Sequence, residues 1–266
     1  MADGIESARA MLARAPAVLI GTGAGMSADC GLPTFRGNEG FWTVFPPARR
    51  LGLSFRNLAR PSWFDDDPRL AWGFYGWRLR AYSDARPHPG HTAIARLIRH
   101  LGEERVAAVT SNVDGMTLTA WPGIAQAEVH GSIHHLQCSR PCRADLWPAV
   151  PVAVDPTTFR ATGALPRCPW CGAMARPNIL MFGDMRWVAD RSSLQEGLVA
   201  AWLARNPEAV AIEIGAGTAI PTIRRICAQV GGGVIRITCD ADDDLGSPAD
   251  ATIAQTAAAA LPALLA

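Results

Sequence analysis

Four of the seven cysteines form two close pairs, Cys138-Ser-Arg-Pro-Cys142 and Cys168-Pro-Trp-Cys171, with 25 residues between them. Thiolate pairs at this spacing suit a tetrahedral Zn²⁺ site. A site closed by four protein ligands leaves no position for substrate, so this metal is expected to hold structure rather than catalyse. His135 offers a nitrogen alternative to one of the thiolates, and Cys30, Cys227 and Cys239 read as core residues. A second constellation is the turn Gly21-Thr22-Gly23-Ala24-Gly25-Met26-Ser27. Its glycines let the backbone approach a pyrophosphate, and a following helix would offer N–H groups and the positive end of its dipole. A third is Thr110-Ser111-Asn112-Val113-Asp114, a polar cluster directly after an apolar run. The fourth is His130, within Glu128-Val129-His130-Gly131-Ser132. An imidazole titrates near neutrality and suits general-base work. His134 and His135 compete with it by proximity.

The elements that would position these residues alternate. Residues 5–15 read as a helix, and Ala17–Ile20 as a short buried strand that stops at the glycine turn. A helix is expected from Met26. Residues 91–101 carry apolar positions at Ala93, Ile94, Leu97, Ile98 and Leu101 and predict a helix. Residues 105–110, 210–214 and 233–238 read as further strands, with a helix from Thr222 and an Ala-rich helix over 256–266. Strands alternating with helices predict an α/β fold around a parallel sheet. Residues 38–90, rich in Trp and Pro, predict an inserted module of short helices, and no internal repeat is visible.

Composition narrows the partners. The net charge is +1, which gives no reason to expect nucleic acid or an anionic membrane as a partner. All 25 basic residues are Arg, and with the abundant Ala, Gly and Pro this fits GC-rich coding bias. No apolar run reaches the length of a membrane span, and Ala17–Ile20 is too short for a signal segment. Clustered thiols and an odd cysteine count predict a reduced, cytoplasmic setting.

The motifs together resemble the sirtuin family in five segments that follow the family order. Gly23-Ala24-Gly25-Met26-Ser27 with Gly31-Leu32-Pro33-Thr34-Phe35-Arg36-Gly37 is similar to its GAGxS turn and G(I/L)PxFRG loop. The resemblance implies that Phe35 shields the reacting ribose and Arg36 helps place the cofactor. Residues 110–114 resemble TQNxD, with Ser111 where Gln is usual; Asn112 would then orient the ribose and a water, and Asp114 the nicotinamide carboxamide. His130-Gly131 resembles the catalytic HG. Residues 176–184 resemble RPxVVxFGE, which implies that Ile179, Met181 and Phe182 pair with a substrate peptide by strand addition. Gly215, Ala216 and Gly217 stand for a GTS segment, and Thr238 stands where an Asn usually meets the adenosine ribose. NAD contacts would thus come from Gly23, Ala24, Gly25, Ser27, Phe35, Arg36, Ser111, Asn112, Asp114, Gly215, Gly217 and Thr238, with side-chain contacts to the adenosine half altered.

Tyr75 and Arg78, three apart on a predicted helix, resemble the YxxR pair of class III sirtuins, and Ala59 and Thr34 also match that class. An Arg fork fits a carboxylate bidentately. The resemblance therefore implies a protein-lysine deacylase that uses NAD and Zn and favours succinyl or malonyl over acetyl groups. It would release nicotinamide and O-acyl-ADP-ribose from an acyl-lysine protein or peptide. The alternative is an ADP-ribosyltransferase or NAD hydrolase on the same scaffold. The implied architecture is a Rossmann-like large domain of residues 1–37, 91–136 and 176–266. A small domain would combine a helical module, 38–90, with a zinc ribbon, 137–175.

Overall fold

The computed structural model describes residues 2–34, 37–239 and 249–266. Among them the strands are β1 (Val18–Thr22), β2 (Val106–Thr110), β3 (Ala125–Glu128), β4 (Gly131–Cys138), β5 (Trp147–Pro148), β6 (Ala175–Ile179), β7 (Val210–Ile214), β8 (Val234–Ile237) and β9 (Ala251–Ile253). Six of these form one sheet in the order β3-β2-β1-β7-β8-β9, with every pairing parallel. Renumbered within the sheet, this is the 3-2-1-4-5-6 order of dinucleotide-binding folds. The order reverses between β1 and β7, and a ligand crevice is expected there, beyond the carboxyl ends of the strands.

Alternation along β1 shows how the layers form. Val18 and Ile20 face a core shared with Ile94 and Ile98 of helix Pro89–Leu101 and Leu261 of helix Ala257–Leu264. Ala17 and Leu19 face the opposite core, with Val199 and Trp202 of helix Asp190–Arg205 and Cys227 of helix Thr222–Cys227. β1 is thus covered on both faces, and its first three residues, Val18, Leu19 and Ile20, are all apolar.

A third core gathers the inserted segments. Five helices cover residues 37–84, the longest being Pro68–Asp84. Phe41, Phe45, Phe64, Trp72 and Phe74 pack there with Ile133 and Leu136 of β4, Ala175 and Ile179 of β6, and Met181. Edge-to-face contacts such as Phe45–Phe74, with centroids 5.2 Å apart, add to the area they bury. The indole N–H of Trp72 donates to the Ala175 carbonyl at 3.1 Å and ties the long helix to β6. β5, β4 and β6 form a separate antiparallel sheet. Among the described residues no helix is long and apolar enough to cross a membrane.

Candidate active site

The glycine turn and the segment after β7 meet at the switch point. The Gly23 N–H donates to Ile214 O at 2.9 Å, and the Gly25 N–H to Gly215 O at 3.1 Å. A Cβ on Gly23 would stand 2.7 Å from Gly215 O, and one on Gly25 would stand 2.6 Å from the Gly215 Cα. Neither position admits a side chain unless backbone moves. The helix that follows, Ala24–Ala28, has no side-chain cap at its N-terminus. Gly215 has φ +56, and Gly217 lies exposed just beyond it. Thr238 is buried at the end of β8, its N–H bonded to Ile253 O at 3.1 Å.

The polar residues after β2 lock onto this turn. Asn112 Nδ2 donates to Gly23 O at 3.0 Å and to Ser27 Oγ at 2.9 Å. Ser27 Oγ in turn donates to Asp114 Oδ2 at 2.6 Å, while the Met116 N–H donates to Asp114 Oδ1 at 2.9 Å. The Ser111 N–H donates to Thr22 O at 3.1 Å, and the Thr22 and Thr110 hydroxyls meet at 2.8 Å. Both hydrogens of the Asn112 amide are therefore spent on holding the turn, which fixes the side chain for recognition through its remaining oxygen. Gly23, Gly25, Ser27, Ser111, Asn112, Asp114 and Gly215 converge at the carboxyl ends of β1, β2 and β7. A crevice of small backbone-exposing residues and fixed polar groups at a switch point suits a dinucleotide. Phe35 and Arg36 lie outside the described residues.

His130 lies between β3 and β4, at the start of the second sheet. Burial lowers its pKa below the usual 6.5, and a hydrogen bond to the Ser111 backbone partly offsets that. With one nitrogen bonded to a main-chain carbonyl, the neutral ring presents the other as a base. His130 O accepts from the Leu180 N–H at 3.0 Å, and a Cβ on Gly131 would stand 2.1 Å from Asn178 O. The glycine after His130 is thus required by the close approach of β6. The rival histidines are placed differently. A ring nitrogen of His134 lies 2.7 Å from Asp114 O, and the buried His135 Nδ1 has no partner.

β6 ends at Ile179, and the chain turns at Gly183, where φ is +69. The Leu180 and Phe182 N–H groups are used inside the chain, on His130 O and Ala59 O. Ile179 and Met181 are buried. The loop is held by a fork that sequence reasoning missed. Arg176 Nη1 and Nη2 reach the two oxygens of Asp184 at 2.7 and 2.9 Å, with both side chains fully buried. Asp184→Ala would strand that guanidinium. It is expected to cost about 3–5 kcal/mol in a denaturant titration, whereas a change under about 0.5 kcal/mol would show the pair to be idle.

Tyr75 and Arg78 are buried on helix Pro68–Asp84, and Ala59 is buried at the end of helix Phe55–Leu58. The Arg78 guanidinium lies 5.2 Å from the Phe74 ring centroid, 5.4 Å from Tyr75 and 5.8 Å from Phe55. Its Nε and Nη2 donate to the Tyr82 hydroxyl at 3.1 and 2.9 Å. The Tyr75 hydroxyl is buried with no hydrogen-bond partner. Burial pushes its pKa up to about 12, against the pull of Arg78, so it remains a protonated donor.

The four thiols come together as the spacing requires. Cys138 ends β4, and Cys168 and Cys171 sit in a tight turn closed by Gly172 N–H to Cys168 O at 3.0 Å. The Sγ atoms of Cys138 and Cys171 are 3.6 Å apart, as are those of Cys142 and Cys168, and all four lie within 4.8 Å of one another. A tetrahedron with Zn–S near 2.3 Å has edges of about 3.8 Å, so the cluster fits zinc with little adjustment. His135 is not a member of this group.

Sequence reasoning also missed an ion cluster behind the Gly215 turn. Arg236 Nε donates to Glu213 Oε1 at 2.6 Å, and Arg224 Nη2 donates to Ala216 O at 3.2 Å, all three charged residues being buried.

Comparison with known proteins is consistent with this geometry. Residues 23–198 match the Sir2 family profile. NAD-dependent protein deacylase 1 of Pseudomonas aeruginosa is 38% identical over 192 residues, 72% of this chain and 70% of the relative. The NAD-dependent protein deacylase of Aeropyrum pernix is 37% identical over 217 residues, 81% and 76% of the two chains. A solved complex of a Sir2 homologue with NAD superposes with a TM-score of 0.74 at 28% identity, covering 98% of this chain and 92% of the other.

Proposed function

The chain belongs to the Sir2 family, and we infer that it is an NAD-dependent protein-lysine deacylase that favours acidic acyl groups. Its cofactors are NAD and a structural zinc held by Cys138, Cys142, Cys168 and Cys171. When bound, NAD supplies the ribose carbon that nicotinamide leaves and the acyl oxygen joins. Asn112, pinned by Gly23 O and Ser27 Oγ, orients the ribose side of the crevice. Asp114, held by Ser27 and the Met116 N–H, positions the carboxamide. His130 accepts a ribose hydroxyl proton on its free ring nitrogen. The products are nicotinamide and O-acyl-ADP-ribose. In this reading the parallel sheet serves as the NAD-binding unit, and the helical module with the ribbon frames the acyl-lysine. The clustered cysteine pairs and the odd cysteine count favour a reducing, cytoplasmic setting.

The acyl preference rests on the Tyr75 hydroxyl, buried and unsatisfied three residues from the buried Arg78 guanidinium. A buried donor left without an acceptor is costly, and an acyl carboxylate would satisfy it while pairing with Arg78. The Phe182 N–H donates to the Ala59 carbonyl at 3.0 Å, which ties Ala59 to the 179–182 segment. Charge-assisted bonds of this kind contribute about 1.5–3 kcal/mol each. Arg78→Met is therefore expected to lower kcat/KM on a succinyl-lysine peptide roughly 10- to 150-fold. Activity on the matched acetyl-lysine peptide should change only a few-fold. An equal fall on both peptides, or acetyl preferred by the unmodified enzyme, would remove the acidic-acyl reading.

A further inference from the structure

Another cluster of ligating atoms lies apart from the four-thiol group and from His130. The Cys30 Sγ and one ring nitrogen each of His88 and His91 all lie within 4.8 Å of one another. Both histidines are buried, with ring centroids 4.3 Å apart, and Cys30 is half-buried. The sulfur of Met116 stands 3.4 Å from Cys30 Sγ. His91 Nδ1 is buried with no hydrogen-bond partner, a condition that calls for an explanation in a folded protein.

His88 is set up as a ligand. The Gly90 N–H donates to its Nδ1 at 3.0 Å, so the proton sits on Nε2, which donates to Met26 O at 2.8 Å. An imidazole anchored through one N–H to a backbone carbonyl, with its lone pair on the other nitrogen, is the arrangement found in metal-binding histidines. Ligation would replace only the Gly90 contact. That contact is the side-chain cap of helix Pro89–Leu101, and breaking it costs little against the binding free energy of a zinc site.

We propose that Cys30, His88 and His91 form a second Zn²⁺ site. Thiolate sulfur and imidazole nitrogen both ligate Zn²⁺, and three protein ligands leave the fourth position open. The site joins the chain entering the 31–34 segment to helix Pro89–Leu101. Bound metal would therefore brace the root of the loop that leads into the cofactor crevice. This proposal stands independently of the deacylase reading.

The test uses the full chain with the four-thiol site already loaded. Excess Zn²⁺ is added, weakly held metal is removed with a competing chromogenic chelator, and retained zinc is measured by elemental analysis. The unmodified protein is expected to hold a second zinc equivalent. Cys30→Ser and His91→Gln are each expected to lose that second equivalent while keeping the first and a single cooperative thermal unfolding transition. If Cys30→Ser fails to fold, His91→Gln carries the comparison. A single equivalent in the unmodified protein, or a second equivalent that survives in the folded variants, would overturn the proposal.

Discussion

Replacing His130 with alanine is expected to lower kcat/KM for deacylation by about 10²- to 10⁴-fold while leaving NAD affinity within a few-fold. The split follows from position. The polar network of Asn112, Ser27 and Asp114 closes without any atom of His130, so the cofactor crevice should survive the change. What disappears is the proton acceptor. Gly131 and the Leu180–His130 main-chain bond need no imidazole, so the local backbone should also persist. The pH profile supplies a second signature. Burial lowers the His130 pKa from 6.5, so the ring stays neutral at neutral pH and becomes protonated only as pH falls through the lowered value. Activity should be flat through neutrality and fall along an acid limb whose midpoint lies below 6.5. That limb should vanish in His130→Ala. A limb centred above 6.5, or one that persists in the variant, would assign the base elsewhere.

Cys168→Ser is expected to release the structural zinc and abolish both cooperative folding of the ribbon and activity. Structural zinc contributes an apparent 10–16 kcal/mol or so in small modules, comparable with the roughly 5–15 kcal/mol that holds a whole domain. The loss should not stay local. Cys138 is the last residue of β4, and β4 pairs with β6 from Cys138–Ala175 back to Gly131–Ile179. Freeing the thiol end of that ladder loosens the strand that begins beside His130. Zinc content, thermal unfolding and deacylation should therefore fall together. A Cys168→Ser protein that kept its zinc and its unfolding temperature would show that the four thiols are not a closed metal site.

The parallel sheet was largely legible because its central strands are apolar runs that end at glycine or polar turns. Val210–Ile214 falls where its sequence suggests, and residues 17–20 anticipate β1, which runs from Val18 to Thr22 and so takes in Gly21 and Thr22, expected in the turn. Helix Asp190–Arg205 was not anticipated, for a physical reason. It buries Ser192, Val199 and Trp202 but leaves Leu194 and Leu198 at 70% and 55% exposure, so apolar residues stand on both faces and no single stripe marks the helix. β9 is three residues with Thr252 exposed, too short for a period to show. The long helix Pro68–Asp84 was expected only as short pieces. The aromatic core surrounds much of it, so no clean amphipathic stripe marks its length.

The site was legible as residue types and less so as pairings. The cysteines declared their geometry through spacing, since two short loops leave few ways to arrange four sulfurs. Asn112, Asp114 and Ser27 were each singled out, but the Ser27–Asp114 bond joins residues 87 apart, a contact that no local pattern encodes. The Arg176–Asp184 fork lay inside a noted segment and was invisible because nothing in the spacing says which way the chain turns at Gly183. Cys30 is separated from His88 and His91 by more than fifty residues, and the three look unrelated until the fold brings them together.

One measurement bears most directly on the central claim. The zinc-loaded protein is incubated with NAD and a matched panel of acetyl-, succinyl- and malonyl-lysine peptides, and all products are identified by mass. The account predicts loss of the acyl group from the peptide, one nicotinamide per acyl group removed, and O-acyl-ADP-ribose, fastest with the acidic acyl peptides. Free ADP-ribose with intact peptides, or ADP-ribose attached to protein, would contradict it and assign this scaffold to NAD hydrolysis or ADP-ribosyl transfer.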